Sequence, residues 1–570
     1  MKTYTPPRYA YRHSADQDGR ARHPVIVVGA GPVGLAAAID LAQRGVPVVL
    51  LDEDDTVSVG SRAICYAKRS LEILDRLGVG QRIVDKGVSW NVGKVFFRDA
   101  LAYRFELLEE SGHRRPAFVN LQQYWLEQAL VERASALPSI DLRWRNRAVA
   151  LRRHDDHVEV DVDTPEGPYS ISCDWLIVCD GARSAVRRLL RLEAEGQVFR
   201  DRFLIVDIRM QSDFPTERWF WFDPPFHRGR SVLLHAQADD VWRVDFQLGW
   251  DADPDVEKAP ERILPRLRAM LGDDAQFDIE WASVYTFACR RLERFRFGRV
   301  LFAGDAAHVV SPFGARGANS GFQDADNLAW KLALVVDGKA PERLLDSYDE
   351  ERTRAADENI RASTRSTDFI TPKSEVSRVF RDAVLELAKE HAFARRLVNS
   401  GRLSVPSVLR ESALNSADVD DDFAMSAGAM QPGAPAADAP VDGPRGAWLL
   451  SYLVDGFTLL VFETALSAET VKRLRAAPIG CRTWRVARNH VGAEDVIIDR
   501  EGLVGKRYDA RDGSVVLFRP DQHVCARWRR FDVGRVEAAI ARATANDKEA
   551  SWPGSTPNRI SQRPTTSTSG

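Results

Sequence analysis

Val25-Ile-Val-Val-Gly29-Ala-Gly31-Pro-Val-Gly34-Leu35, near the start of a 570-residue chain, is the stretch whose reading decides the fold. Four consecutive apolar β-formers run into Gly-x-Gly-x-x-Gly, and an Ala-rich segment from Leu35 to Gln43 follows. The pattern predicts strand, tight turn and helix. The first glycine permits the turn, the second lets backbone approach a pyrophosphate, and the third lets helix and strand pack closely. Ala30 and Pro32 complete the turn, and free N–H groups at the helix start face the phosphates. A second apolar run, Pro47 to Leu51, ends in Asp52 and Glu53. A carboxylate about twenty residues past the turn accepts hydrogen bonds from a ribose diol. Strand, helix and terminal acid together predict a dinucleotide site rather than an ordinary glycine turn.

Composition narrows the partners. Lys and Arg number 79 against 82 Asp and Glu, a formal net charge of -3, so no global field recruits nucleic acid or an anionic membrane. The six cysteines include no C-x-x-C pair, which predicts reduced cytoplasmic thiols and neither a disulfide framework nor a metal site. Met1 to His23 is polar, unlike a signal peptide, and no apolar run is long enough to span a bilayer. A soluble, cytoplasmic protein is expected, with no nucleic-acid or membrane partner; a homodimer stays open.

Further along, Arg62 follows the second strand, and Gln123 stands near the start of another helix. Cys173 to Cys179 reads as a buried strand running into Asp180-Gly181, with Arg183, Arg187 and Arg188 just after it. An acid and a glycine there lie on the ligand-binding edge of an open α/β sheet. Residues 196–290 change to short strands of period two, read as an inserted substrate sheet. Arg299 to Ala303 returns as a buried strand ending in Gly304-Asp305. A second glycine-rich loop follows, from Ser311-Pro312 through Gly317-Ala318-Asn319 to Asp324. The predicted division is 24–195 and 291–412 for the nucleotide domain with its long helices, and 196–290 for the insertion. A linker at 413–446, a small domain at 447–545 and a disordered tail at 546–570 complete it, with a loose arm before residue 24.

Gly29-x-Gly31-x-x-Gly34, Asp180-Gly181 and Gly304-Asp305 with its loop resemble the FAD-dependent aromatic hydroxylases of the p-hydroxybenzoate hydroxylase type. The nearer likeness is to the phenol and 3-(3-hydroxyphenyl)propionate hydroxylases, over roughly Pro24 to Arg365. The resemblance implies an α/β fold: a Rossmann-like FAD-binding domain with an inserted mixed β-sheet substrate domain. It also implies a small thioredoxin-like C-terminal α/β domain, here without the redox cysteine pair. Gly29, Gly31, Gly34 and Asp52 would hold the ADP half of FAD, with Arg62, Gln123, Asp180 and Gly181 along the pyrophosphate and flavin cleft. Asp305 matches the acid on the ribityl chain, and Pro312 a proline beside the flavin ring. The implied activity is hydroxylation of a phenolic substrate with O2 and NAD(P)H, through a flavin C4a-hydroperoxide, in aromatic catabolism.

One strand-loaded glycine triplet holds one dinucleotide, so NAD(P)H would bind transiently, with Arg62, Arg183, Arg187 and Arg188 as candidate anchors. A phenol reacts faster as phenolate, which calls for a nearby base or acceptor. His235, Asp245 and Tyr285 are the catalytic candidates on the inserted sheet, with His235, Arg243 and Gln247 facing substrate. The alternative is a flavin-dependent halogenase or another FAD oxidoreductase of the same fold. Trp219-Phe-Trp221-Phe-Asp223-Pro224 has the W-x-W-x-x-P outline of tryptophan halogenases, with Asp223 where that pattern has isoleucine. Lys68 comes too soon after the first motif to serve as a halogenase lysine.

Overall fold

β1 (Arg22–Val28), α1 (Pro32–Gln43) and β2 (Val48–Asp52) form the strand, helix and strand that the glycine motif predicts. The computed structural model describes residues 4–19, 21–60, 62–398, 403–418, 422–423, 430–454, 456–489 and 494–547. In the first sheet β1 lies between β2 and β3 (Tyr169–Val178), with Ile140–Trp144 outside β2 and Val300–Phe302 outside β3, all parallel. Val25, Ile26 and Val27 are wholly buried, which is why this strand reads as an unbroken apolar run. Gly29 has φ +103°, and a Cβ there would collide with the Cys179 carbonyl; one on Gly34 would collide with the Gly29 carbonyl. Both glycines are therefore dictated by how closely α1 approaches the ends of β1 and β3.

The second sheet is built mainly from β4 (Ala194–Arg209), β5 (Arg218–Phe222), β6 (Ser231–Ala236), β7 (Val241–Gln247) and β8 (Asp278–Leu292). Its order is His308–Val309, β8, β4, β7, β6, β5, Val92–Phe97 and Ala100–Glu106. The sheet thus takes in residues 92–106, outside the expected 196–290 insertion, because β5 pairs in parallel with Val92–Phe97. Period-two alternation gives it two distinct faces. Leu204, Val206, Val244 and Phe246 pack on one side with Ile263 and Leu267. Leu233, His235, Arg243 and Asp245 point the other way, toward the first sheet.

Two long helices follow: α2 (Gly317–Val336), packed on α1, and α3 (Asp346–Ile370). The C-terminal layer is a mixed sheet ordered Val496–Ile498, Cys481–Ala487, Phe457–Phe462, Val515–Phe518, Val524–Trp528. Within the expected linker, Ala434, Ala436, Ala439 and Val441 are buried in that layer, and the Gly433 N–H donates to the Val524 carbonyl at 2.7 Å. Asp418 pairs with Arg527 at 2.6 Å. Small residues that read as linker here serve close packing; residues 419–421 and 424–429 lie outside the described residues, as does the expected tail from 548. The N-terminal arm is docked rather than loose: the Tyr9 ring stacks on Trp144 at 4.5 Å and its N–H bonds the Asp55 carbonyl.

A buried charge network joins this layer to the first domain. Arg519, 0 % exposed, donates to Glu351 at 2.6 and 3.0 Å and to Asp521 at 2.5 Å. Lys331 on α2 donates to Glu351 at 2.8 Å, and Arg69 to the Asp521 carbonyl at 2.7 Å. Burial alone would raise the Glu351 pKa, yet Arg519 and Lys331 hold it well below the ordinary carboxylate range. Arg519→Met would take the shared guanidinium from two buried carboxylates and is expected to cost about 3–5 kcal/mol, read as a lowered Tm of the full chain. An unchanged Tm would show that the network does not secure the layer. A chain truncated within Asp418–Arg445, ahead of the C-terminal sheet, is expected to unfold at lower temperature for the same reason.

Candidate active site

The carboxyl ends of β1, β2 and β3, the loop 304–319 and the near face of the second sheet surround one cleft of about 740 Å³. A crevice at the carboxyl ends of parallel strands is where open α/β sheets take ligands. Gly29, Ala30, Gly31 and Pro32 line its outer end. Gly31 has an ordinary backbone, φ -73°, and a Cβ there would meet no chain atom within 4 Å. Nothing in the chain requires glycine at that position; a side chain would instead fill the cleft where a pyrophosphate approaches. Gly34 lies behind it as the helix–strand contact.

Asp52 Oδ2 accepts from the Ala30 N–H at 2.5 Å and Oδ1 from the Asp54 N–H at 2.8 Å. Burial pushes its carboxyl up to about 6 despite those bonds. The acid therefore closes the turn as well as facing the cleft, with exposed Glu53 beside it. Gln123 accepts from the Ala63 N–H at 2.9 Å and donates to Glu127 at 2.7 Å, so it anchors the loop that carries Arg62 into the cleft. Asp180 and Gly181 line the cleft beyond β3, and Asp180 caps the next helix through the Val186 N–H. Of the arginines after it, Arg187 turns inward onto the Ala182 and Ala306 carbonyls, leaving Arg183 and Arg188 at the rim.

Asp305 is open to the cleft. Desolvation inside the cleft raises its pKa, against the fields of His308 and Arg62. Its turn is clamped from below: the Gly304 N–H donates to Asp324 Oδ2 at 3.0 Å, His308 Nε2 lies 2.7 Å from that oxygen, and Arg352 Nε donates to Oδ1 at 2.6 Å. Pro312, Gly317, Ala318 and Asn319 complete the inner wall. Asn319 accepts from the Ala67 N–H and donates to the Cys65 carbonyl, both at 2.8 Å, locking the start of α2 against the strand Cys65–Ala67. The positive end of α2 thereby faces the cleft.

At the inner end, strand register brings Arg218, His235, Arg243 and Asp207 into one row across β5, β6, β7 and β4. Arg243 forks onto Asp207 at 2.8 and 2.9 Å. His235 is 3 % exposed; burial and then the fields of Arg218 and Arg243 push its pKa well down, so it is neutral. Its Nδ1 has no partner among the described residues, and Asp245 lies 3.9 Å from its Nε2, too far for a hydrogen bond. Burial lifts the Asp245 carboxyl to about 6, and its Oδ1 is also unpartnered.

Tyr285 and Gln247 lie outside the cleft. Both pair with Phe203, one pleat beyond the row that contains Asp245, where the rings of Phe203, Phe287 and Phe313 close the wall. Gln247 is spent on the Ser231 N–H at 3.0 Å. Trp219 and Trp221 pack on the opposite face of the sheet, so the W-x-W outline does not face the cleft. Sequence reasoning missed Arg218, hidden beside an aromatic run, and the His308–Asp324–Arg352 clamp, whose members are 16 and 28 residues from Asp324.

The sequence matches the family described as FAD binding domain over residues 22–363, and the chain belongs to that family. It is 31 % identical over 364 residues to the 3-(3-hydroxy-phenyl)propionate/3-hydroxycinnamic acid hydroxylase of Escherichia coli O81 (strain ED1a). That match covers 63 % of this chain and 64 % of the relative, just under two thirds of its length. The fold is that of the flavin-dependent monooxygenase PieE, solved with FAD and substrate: TM-score 0.78, 21 % identity, 92 % of this chain and 99 % of that one. The p-nitrophenol 4-monooxygenase PnpA of Pseudomonas putida DLL-E4 aligns with TM-score 0.59 and 25 % identity over 66 % of this chain and 97 % of its own. FAD fits the residues present: a backbone-lined outer end, an open Asp305 and the positive end of α2.

Two substitutions test that fit. Gly31→Val is expected to abolish FAD retention in a folded protein, seen as loss of the yellow flavin spectrum. Asp305→Ala should weaken FAD binding by about 1.5–3 kcal/mol, measured as Kd. An unchanged Kd would assign the ribityl contact to another residue.

Proposed function

We propose that the chain is a cytoplasmic, NAD(P)H-dependent monooxygenase that uses O2 to hydroxylate a phenolic substrate. The observation that carries this reading is the pair of polar atoms left without partners among the described residues, His235 Nδ1 and Asp245 Oδ1, set beside Arg218 and Arg243 at the inner end of the FAD cleft. FAD, when bound, supplies the redox and oxygen chemistry. The chain's own work is to hold the ring against that wall, exclude water and receive the phenol proton. Ionised Asp245 accepts that proton, while neutral His235 turns its ring N–H to the phenolate oxygen that results. The nicotinamide donor is assigned to the rim near Arg62, Arg183 and Arg188, since the one nucleotide turn is taken by FAD.

The names of the Escherichia coli and Pseudomonas putida proteins, both hydroxylases or monooxygenases of phenols, support the reading. Six free, buried cysteines support a reducing compartment. Among the described residues no helix is long and apolar enough to cross a membrane. The position of Trp219 and Trp221 on the far face counts against a halogenase. The deciding assay is phenol-stimulated NAD(P)H oxidation by the FAD-loaded protein, with a product one oxygen heavier. Oxidation that no phenol stimulates would refute the proposal.

Because burial raises the Asp245 pKa to about 6, the carboxylate is present only above that pH. The value of kcat/KM is expected to rise with pH through about 6 and level off above it. Asp245→Asn should remove that limb. It should not lower stability at neutral pH, because ionising an acid of raised pKa costs the native state energy above its pKa. His235→Ala is expected to uncouple, with less product and more H2O2 per NAD(P)H consumed. Gln247→Ala, outside the cleft, should leave the ratio unchanged.

A further inference from the structure

After α3 the chain forms a helical hairpin, α4 (Glu375–Ala388) and α5 (Ala392–Val398), whose helices pack on each other while α4 also packs on the strand Ala100–Glu106 of the second sheet. The inner face is settled: Val384, Leu385, Ala388 and Ala394 are buried in one core with Phe97 and Phe222. The outer face is left to solvent by the described residues. Val376, Val379, Phe380 and Leu387 follow one another at helical spacing along the other side of α4, and Phe393 and Leu397 stand one turn apart on α5. Val376 is 80 % exposed, and Leu387, the most covered of the six, is still 44 % exposed. A helix on the surface of a lone chain is normally polar on this side. Together the six present on the order of 600 Å² of side chain, the upper end of what a monomer leaves in one patch and most of the roughly 800 Å² per partner of a standard interface.

The charges beside the stripe point to what covers it. Arg378 lies 3.6 Å from Glu375, and Lys389 lies 2.8 Å from Glu386. As surface pairs three residues apart, they are worth little to a single chain. A second copy of α4 laid antiparallel, with a two-fold axis beside Arg381 and Asp382, would set Arg378 against the partner's Glu386 and Glu375 against the partner's Lys389. The same axis sets Val376 against the partner's Leu387, and Phe380 against the partner's Ala383, large on small. Asp382, which would meet its own copy at the axis, is already paired with Arg381 at 2.8 Å. One axis thus matches both the charges and the apolar stripe to themselves, the condition for a two-fold interface. Other occupants fit less well. Acidic and basic residues are mixed along α4, so the face lacks the basic flank that draws a helix to an anionic membrane. The segment 548–570 offers only Trp552 and Ile560 as large apolar residues.

We propose that the outer face of this hairpin is the interface of a two-fold homodimer, in which the α4 helices pack antiparallel about residues 381–382 and Phe393 and Leu397 of α5 widen the apolar contact. None of the six exposed residues lines the FAD cleft, so the dimer does not depend on the reaction assigned there.

The test is sedimentation equilibrium of the FAD-loaded full chain at micromolar concentration, where twice the chain mass is expected. Phe380→Glu, at an exposed position, should give a monomer that keeps its flavin spectrum and circular dichroism. Arg378→Glu and Glu386→Arg each bring like charges together across the axis and should each weaken the dimer about tenfold at low salt. The double variant Arg378→Glu/Glu386→Arg restores opposite charges and should regain wild-type association. A wild type of single-chain mass, or a dimer that Phe380→Glu leaves intact, overturns the proposal. A double variant that associates no better than the single ones overturns the antiparallel register, and the proposal with it. A monomeric full chain that dimerises once residues 548–570 are removed gives the face to that segment and overturns the proposal too. A monomer that co-sediments with phosphatidylserine vesicles, and ceases to after Phe380→Glu, gives it to a lipid surface with the same consequence.

Discussion

The wholly buried carboxylate of Asp324 organises the site. It holds the Gly304 N–H, His308 and Arg352 at 3.0, 2.7 and 2.6 Å, and so ties together a strand end, a turn and two long helices. Burial would raise its pKa, but the fields of His308 and Arg352 reverse that shift, so the charge is retained inside the protein. A charge kept there makes the geometry unforgiving, because displacing any partner leaves it uncompensated. What the clamp secures is the position of Asp305 and of the first turn of α2, the two features that define the inner half of the cleft.

The rigidity continues outward. Asn319 fixes the start of α2 to the strand Cys65–Ala67, and that strand leads directly into the helix Lys68–Arg76. Arg69 and Arg76 on that helix pair with Asp326 of α2, and Arg69 reaches the C-terminal layer through Gln522 and the Asp521 carbonyl. The C-terminal layer contributes no residue to the cleft lining, yet it buttresses the helices that shape it. Its two cysteines, Cys481 and Cys525, are buried, and burial pushes both thiols up to about 12.

The two ends of the cleft work by different physics. The outer end presents backbone, with glycine where a side chain would intrude and N–H groups supplied by a turn and a helix start. The inner end presents side chains on one face of a sheet, where burial lowers the pKa of His235 and raises that of Asp245. The first arrangement suits an invariant cofactor and the second a selected substrate, because pleat positions can change without disturbing the ladder.

That difference also explains what could be read in the chain. The nucleotide half was legible because its determinants are local: a strand, three glycines and an acid within 28 residues, Val25 to Asp52, each required by backbone geometry. The buried apolar strands of the first sheet follow from the same kind of pattern, but the strand order of the second does not, since residues 92–106 join it by pairing with β5. Which polar residues of the inserted sheet reach the ligand was a matter of register between strands far apart in sequence. Arg243 and Asp245 face the cleft while Gln247, on the same side of the same strand, falls one pleat past its end. The small residues of 430–446 look like a tether until the C-terminal sheet offers them an edge to pack on. The sequence by itself determined that a dinucleotide is bound and which turn is built to receive its phosphates. Only tertiary structure decided which buried charges were paired and which, like that of Arg218, were left facing the cleft, because pairing depends on contacts between segments hundreds of residues apart.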